Sequence, residues 1–281
     1  WHDVGLHLVR DEAGAVGFRV LVGGGMGRTP VIASEIRAFV PWQQILCYLE
    51  AIVRVYNRYG RRDNAYKARI KILVKAEGQK YFDAVEKEFQ EILARDVGGT
   101  LHLLPQAEFD RVAACFARPA AVVPLAEPAP VADTAPLAYR RWLQRNVHAH
   151  QVSGWRGVTL SVKRAGQAPG DATDAQMDAA ADLADRFSQG ELRVTHEQNL
   201  VLPWVKASEL EALYEGAKAA GFATPNIGLV TDMIACPGGD FCALANARSI
   251  PIAESITERF QDMDELHDLG EIDLHISGCI N

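Results

Sequence analysis

The chain has 281 residues, 48% of them hydrophobic and 23% charged, a soluble globular balance with length enough for one large or two medium domains. Its formal charge of −7 argues against general nucleic-acid binding, because phosphate recognition calls for a basic surface. No apolar run is long enough to cross a membrane as a helix.

The opening Trp1-His2-Asp3 carries neither a basic n-region nor an apolar h-region, so no secretory signal is read there. The chain passes at once into strand-like residues, which reads as a start inside a domain. Val4 to Val9 and Val16 to Val22 are short apolar strands joined by the turn residues Asp11 to Gly14. A glycine-dense loop, Gly23 to Arg28, comes next. Pro41 opens a helical pattern through Ile45, Leu49, Ile52, Val53 and Tyr56, and a second amphipathic helix is expected over 80–95. Between them lies a basic stretch: Arg58, Arg61, Arg62, Lys67, Arg69, Lys71 and Lys75. It reads as a solvated helix face, or as a site for a carboxylate-rich cofactor or an acidic electron-donor protein.

From Ala117 to Leu137 five prolines are interleaved with Ala and Val, with no usable period, and this reads as a linker or extended crossing segment. Beyond it, Gly157 to Val162 is a strand. Asp174 to Phe187 is a helix capped by Thr173 or Asp174. Leu192 to Val194 and Leu200 to Val205 are strands, and Ala207 to Ala220 is a helix stopped by Gly221. That alternation predicts a small α/β sandwich. A helical run from Ala243 to Phe260 and a strand from Ile272 to Ile276 complete the pattern.

The sharpest chemical feature is Cys236-Pro-Gly-Gly-Asp-Phe-Cys242, a C-x5-C, followed by Cys279 thirty-seven positions later. Three thiolates able to converge suit a soft metal, and the intervening glycines let backbone amides face an anionic centre. By spacing alone, unliganded cysteines fit equally well, and the pattern departs from the C-x2-C zinc knuckle. Cys47 and Cys115 read as core residues. The odd cysteine number points to a reducing cytoplasm rather than a disulfide scaffold. The glycine loop is not G-x-G-x-x-G and has no acidic second-strand tip, so a tight turn is the simpler reading, although Arg28 beside exposed amides suits carboxylates. His196 is read as a polar turn residue or a general acid. No hydrolase triad, His-Glu-x-x-His or Walker loop is present.

Together, four stretches in order carry a family resemblance: Gly17 to Pro30 (GFRVLVGGGMGRTP), Val55 to Lys71 (VYNRYGRRDN leading to KARIK), Leu192 to Leu200 (LRVTHEQNL), and the cysteine pair followed by Ile276-Ser-Gly-Cys279. They resemble the siroheme-dependent nitrite and sulfite reductases of the bacterial ferredoxin-dependent type. The resemblance implies an α+β fold of mixed sheets with flanking helices, including a small ferredoxin-like α/β sandwich half-domain. The expected organisation is a siroheme/4Fe–4S-type domain over 1–116, a linker over 117–145, the half-domain over 146–223 and a cluster- and siroheme-binding domain over 224–281.

It also implies six-electron reduction of nitrite to ammonia or sulfite to sulfide at a siroheme bridged to a 4Fe–4S cluster, with electrons from a ferredoxin or similar donor. Cys236, Cys242 and Cys279 match three cluster ligands; the fourth is expected at position 283, past the last residue of this sequence. Arg28, Thr195, Gln198 and Asn199 are the expected siroheme contacts, with Arg61, Arg62 and Lys67 as a further basic group. The family's substrate-facing Arg and Lys residues are not matched here, and Glu197 stands where the family's first repeat carries Arg. No catalytic residue is therefore assigned, and the 281-residue chain is expected to be inactive by itself. The alternative reading is a non-catalytic α/β binding module whose cysteines are structural or hold zinc.

Overall fold

The computed structural model describes residues 2–27, 29–64, 67–95 and 102–279, and divides into two compact units, Trp1–Ala117 and Arg118–Cys279. In the first, β1 (Val4–Arg10), β2 (Val16–Val22) and β3 (Ser34–Pro41) form an antiparallel sheet in the order β1-β2-β3. The β1–β2 turn is closed by Asp11, whose carboxylate accepts the amides of Ala13 at 3.0 Å and Ala15 at 2.8 Å. Against the sheet pack α1 (Ile45–Tyr59), α2 (Ile70–Glu77) and α3 (Gln79–Arg95), burying Val20, Val22 and Val40 against Tyr48, Ile52, Val55, Val85 and Phe89. Strand β3 escapes a periodicity reading because bulges in its pairing with β2 interrupt the alternation. A short helix, α4 (Gln106–Ala114), follows.

The second unit begins with the Pro/Ala stretch, which is extended but anchored. Val122 is buried with Val152, Trp155 and Trp204, and the Trp155 indole donates to the Val123 carbonyl at 2.7 Å. The Glu127 carboxylate takes an ion pair from Arg156 at 2.6 Å and the Gly154 amide at 2.7 Å. Within the stretch read as linker lies a helix, α5 (Leu137–Asn146). Three arginines and a glutamine mask it in the sequence, while Tyr139 and Trp142, three residues apart, bury its inner face.

Next come β4 (Val147–Ala149), β5 (Trp155–Leu160), α6 (Asp174–Phe187), β6 (Arg193–Val194), β7 (Leu200–Lys206) and α7 (Leu210–Ala220). They make an antiparallel sheet of order β4-β5-β7-β6 with the helices packed through Leu183, Phe187, Leu213 and Phe222. Helix α6 starts with a capping box between Thr173 and Gln176, and α7 ends on Gly221 in the left-handed region at φ 81°.

The last segment holds β8 (Ile234–Ala235), α8 (Ile250–Arg259), α9 (Met263–Leu269) and β9 (His275–Ile276), with β8 and β9 parallel neighbours. Two expectations are corrected here. The helix read from Ala243 begins only at Ile250, because 243–249 is drawn into turns around the cysteine loops; the closing strand is cut to His275–Ile276, the chain before it being tied at Ile272 to the Gly228 carbonyl instead. The fold class is α+β, as the family resemblance implied.

Candidate functional site

Register explains why three cysteines distant in sequence share one region. Ala235 pairs with Ile276 in the parallel β8–β9 ladder, so Cys236 and the Ser277-Gly278-Cys279 turn leave the same end of adjacent strands. The loops beyond are stitched by backbone bonds. Asn246 and Ala247 both donate to the Gly278 carbonyl, at 2.7 and 2.9 Å, and the Gly239 amide donates to Ala247 at 2.9 Å. Only glycine permits this approach: a Cβ on Gly278 would lie 2.7 Å from the Gly238 Cα and 2.6 Å from the Ala247 oxygen.

The Cys236 sulfur is the best prepared of the three. It accepts the Gly278 amide at 3.1 Å and lies 3.4 Å from the Ser249 hydroxyl, which also donates to the Cys236 carbonyl at 2.7 Å. The Ser249 hydroxyl and then the Gly278 amide hold its thiol below the ordinary value, outweighing partial burial. Ser249 is also the N-cap position of α8, which places a helix N-terminus beside this sulfur. Cys242 and Cys279 are half-buried, the latter 3.7 Å from the Ser277 hydroxyl.

Among the described residues no three His, Cys, Asp or Glu side chains gather tightly enough to hold a single metal ion. The three sulfurs therefore do not converge on one point, as the spacing had implied they could. A polynuclear cluster asks for less, since its ligands grip separate irons, and the amide-assisted Cys236 sulfur beside a glycine-lined turn fits that need. Cys47 is buried in the core as expected, but Cys115 is exposed at the end of α4, because that helix buries no residue of its own.

The Thr195–Asn199 turn adjoins the same strands. Thr195 Oγ1 accepts the Asn199 amide at 3.1 Å and closes the turn. The Asn199 carboxamide is buried, accepting the Val162 amide at 3.1 Å and donating to Asp232 at 2.8 Å. Gln198 bonds the backbone of Ala235 through both ends of its side chain, at 3.0 and 3.1 Å. These two carboxamides, expected as cofactor donors, are thus engaged within the chain. His196 is exposed beside Glu197, at 3.1 Å.

Behind the turn lies an unforeseen polar knot. The buried Lys163 ammonium donates to the Asp232 carboxylate at 2.9 Å, to the Asp232 carbonyl at 3.0 Å and to the Glu197 carbonyl. Ser161 donates to Asn226 at 2.7 Å, and Asn226 in turn reaches Thr231 at 3.2 Å. The signal for it was Ser161 and Lys163 falling on one face of an otherwise apolar run. The period-2 alternation carries polar groups inward there.

In the first unit, Arg28 lies outside the described residues. The rest of the glycine loop is gripped by the end of the basic stretch. Lys71 is buried and donates to the carbonyls of Met26 at 2.8 Å and Thr29 at 3.0 Å, while Arg69 donates to Met26 at 3.2 Å and pairs with Asp3 at 2.8 Å. Arg61 pairs with Asp63, Arg62 donates to Asn57 at 2.9 Å, and Arg58 pairs with the buried Glu88 at 2.6 Å. Arg58, Arg61, Arg62, Lys67 and Lys75 are thus exposed to solvent, as a solvated face would be, while Arg69 and Lys71 are turned onto the glycine loop.

Two family models match this chain: the nitrite and sulphite reductase 4Fe-4S domain over residues 1–93, and the nitrite/sulfite reductase ferredoxin-like half domain over residues 158–220. The chain belongs to the nitrite and sulfite reductase family. Among relatives, the chloroplastic ferredoxin–nitrite reductase of Oryza sativa is 27% identical across 96% of this chain and 39% of its own length. Sulfite reductase [ferredoxin] 1 of Mycolicibacterium paratuberculosis is 27% identical across 100% of this chain and 44% of its own. The structure of the Mycobacterium tuberculosis NirA protein superposes with a TM-score of 0.64 at 24% identity, covering all of this chain and 44% of that one, which shows a shared fold. The chain thus spans about two fifths of the length of these relatives. The three clustered cysteines lie outside both matched ranges.

Proposed function

We propose that this chain is part of a nitrite or sulfite reductase that holds siroheme and a 4Fe–4S cluster and draws on a ferredoxin-type donor in a reducing compartment. The observation that carries the reading is the Cys236 sulfur at the mouth of the parallel β8–β9 pair, with the Gly278 amide directed at it and Cys279 on the same turn. Cys236, Cys242 and Cys279 would hold the cluster. When bound, siroheme and cluster would pass to the substrate the six electrons, delivered by the ferredoxin-type donor, that take nitrite to ammonia or sulfite to sulfide. The chain's own work is to favour the Cys236 thiolate, through Ser249 and the Gly278 amide, and to hold the cysteine loops in place.

Both relatives named above are ferredoxin-dependent, one reducing nitrite and one sulfite, which supports the donor class and leaves both substrates within the proposal. The test is iron, acid-labile sulfide and visible absorption of the parent enzyme. About five irons, about four acid-labile sulfides and siroheme absorption bands are expected for one cluster and one siroheme. Stoichiometric zinc with no iron would replace this reading by that of a zinc-holding binding module.

A further inference from the structure

The strand that delivers Cys236 is only two residues long, and both of its edges are paired. On one edge, Leu274, just before β9, accepts the Ile234 amide at 3.0 Å, and Ile276 of β9 accepts the Cys236 amide at 3.1 Å. Alternate residues of a strand address opposite edges, so Ala235 presents its amide and carbonyl to the other side. No strand lies there among the described residues. Gln198 takes that place: its Nε2 donates to the Ala235 oxygen at 3.0 Å and its Oε1 accepts the Ala235 amide at 3.1 Å. One carboxamide thus reproduces the two-point pairing of a ladder neighbour.

Its own backbone is adapted to the task. Gln198 sits at φ 57°, in the left-handed region that side chains rarely occupy. The side chain passes Gly170, where a Cβ would lie 2.9 Å from the Gln198 Cβ. Thr195 and the buried Asn199 fix the turn on both sides, and Asn199 ties it to the Lys163–Asp232 pair.

We propose that Gln198 is a positioning residue for the cluster ligand Cys236. It acts through the Ala235 peptide, holding β8 against β9, and its carboxamide is not a direct cofactor donor. The inference rests on the reading that Cys236 binds the cluster.

Amide hydrogen exchange at Ala235 in the full chain tests the tie itself. Gln198→Ala should raise the Ala235 rate about tenfold, the effect of losing one well-made hydrogen bond and its partner. Thr173→Ala, a helix-cap change remote from β8, should leave that rate alone and so corrects for global stability. Gln198→Glu keeps an acceptor for the Ala235 amide but loses the donor, and should restore part of the protection, which also serves if the alanine variant folds poorly. In the parent enzyme, Gln198→Ala should change the electron paramagnetic resonance line shape of the cluster at unchanged siroheme content. Unaltered exchange at Ala235, or loss of siroheme with an intact cluster signal, would overturn the proposal. A parent enzyme without iron would defeat the functional reading and the cluster part of this one, while exchange at Ala235 decides the tie independently.

Discussion

Each unit buries one lysine beside a loop that matters, and the two lysines are neutralised differently. Lys163 meets a carboxylate, Asp232, at 2.9 Å, with both side chains almost fully removed from solvent. Lys71 donates only to the peptide carbonyls of Met26 and Thr29, and among the described residues it has no carboxylate partner. A charge pair locks one geometry, because either ion left alone in the interior is costly. A cation held by carbonyl dipoles grips more softly. It also draws the Met26 and Thr29 carbonyls toward one ammonium. The second unit has a rigid knot behind its cysteine loops; the first has a cationic clamp on its glycine loop.

The largest effect should come from splitting the pair. Lys163→Met leaves Asp232 buried and unpaired and should cost about 3–5 kcal/mol in denaturant unfolding. The double change Lys163→Met with Asp232→Leu should recover most of that loss. Lys71→Met orphans carbonyls rather than a charge and should cost about 1–3 kcal/mol by the same measurement. Equal costs for the two single variants would erase the distinction between knot and clamp.

Thr173→Ala sets the scale for a neutral tie in the second unit. It removes one half of the α6 capping box and should cost about 1 kcal/mol, read from the urea midpoint.

The exposed Glu127–Arg156 pair should show the smallest effect, visible through pH. Arg156, and after it the Gly154 amide, holds the Glu127 carboxyl down at about 2, against an ordinary 4.5. A folded value below the unfolded one means the tie is complete above about pH 4.5 and is lost as pH falls through about 2. Tryptophan fluorescence from Trp155 and Trp204, buried with Val122 beneath this segment, should report its release in that window. Glu127→Gln should abolish the acid step while leaving the neutral-pH signal nearly unchanged.

Local periodicity made much of the fold legible. The strands at Val4 and Val16, the helix at Asp174 with its Thr173 cap, and the Gly221 stop appear where the sequence places them, because each is decided by neighbours within a few residues. Helix α5 stayed hidden because its polar face outweighs two buried aromatics, and β3 because a bulge breaks its period. The site divides in the same way. The spacing of Cys236, Cys242 and Cys279 is a property of the sequence, and so is the family that the ordered motifs announce. That Gln198 and Asn199 turn inward, that Lys163 finds Asp232, and that Cys236 and Cys279 leave adjacent strands together were decided only by the tertiary structure. Such partners lie tens of residues apart, and a polar side chain's role depends on whether folding leaves it a buried group to satisfy.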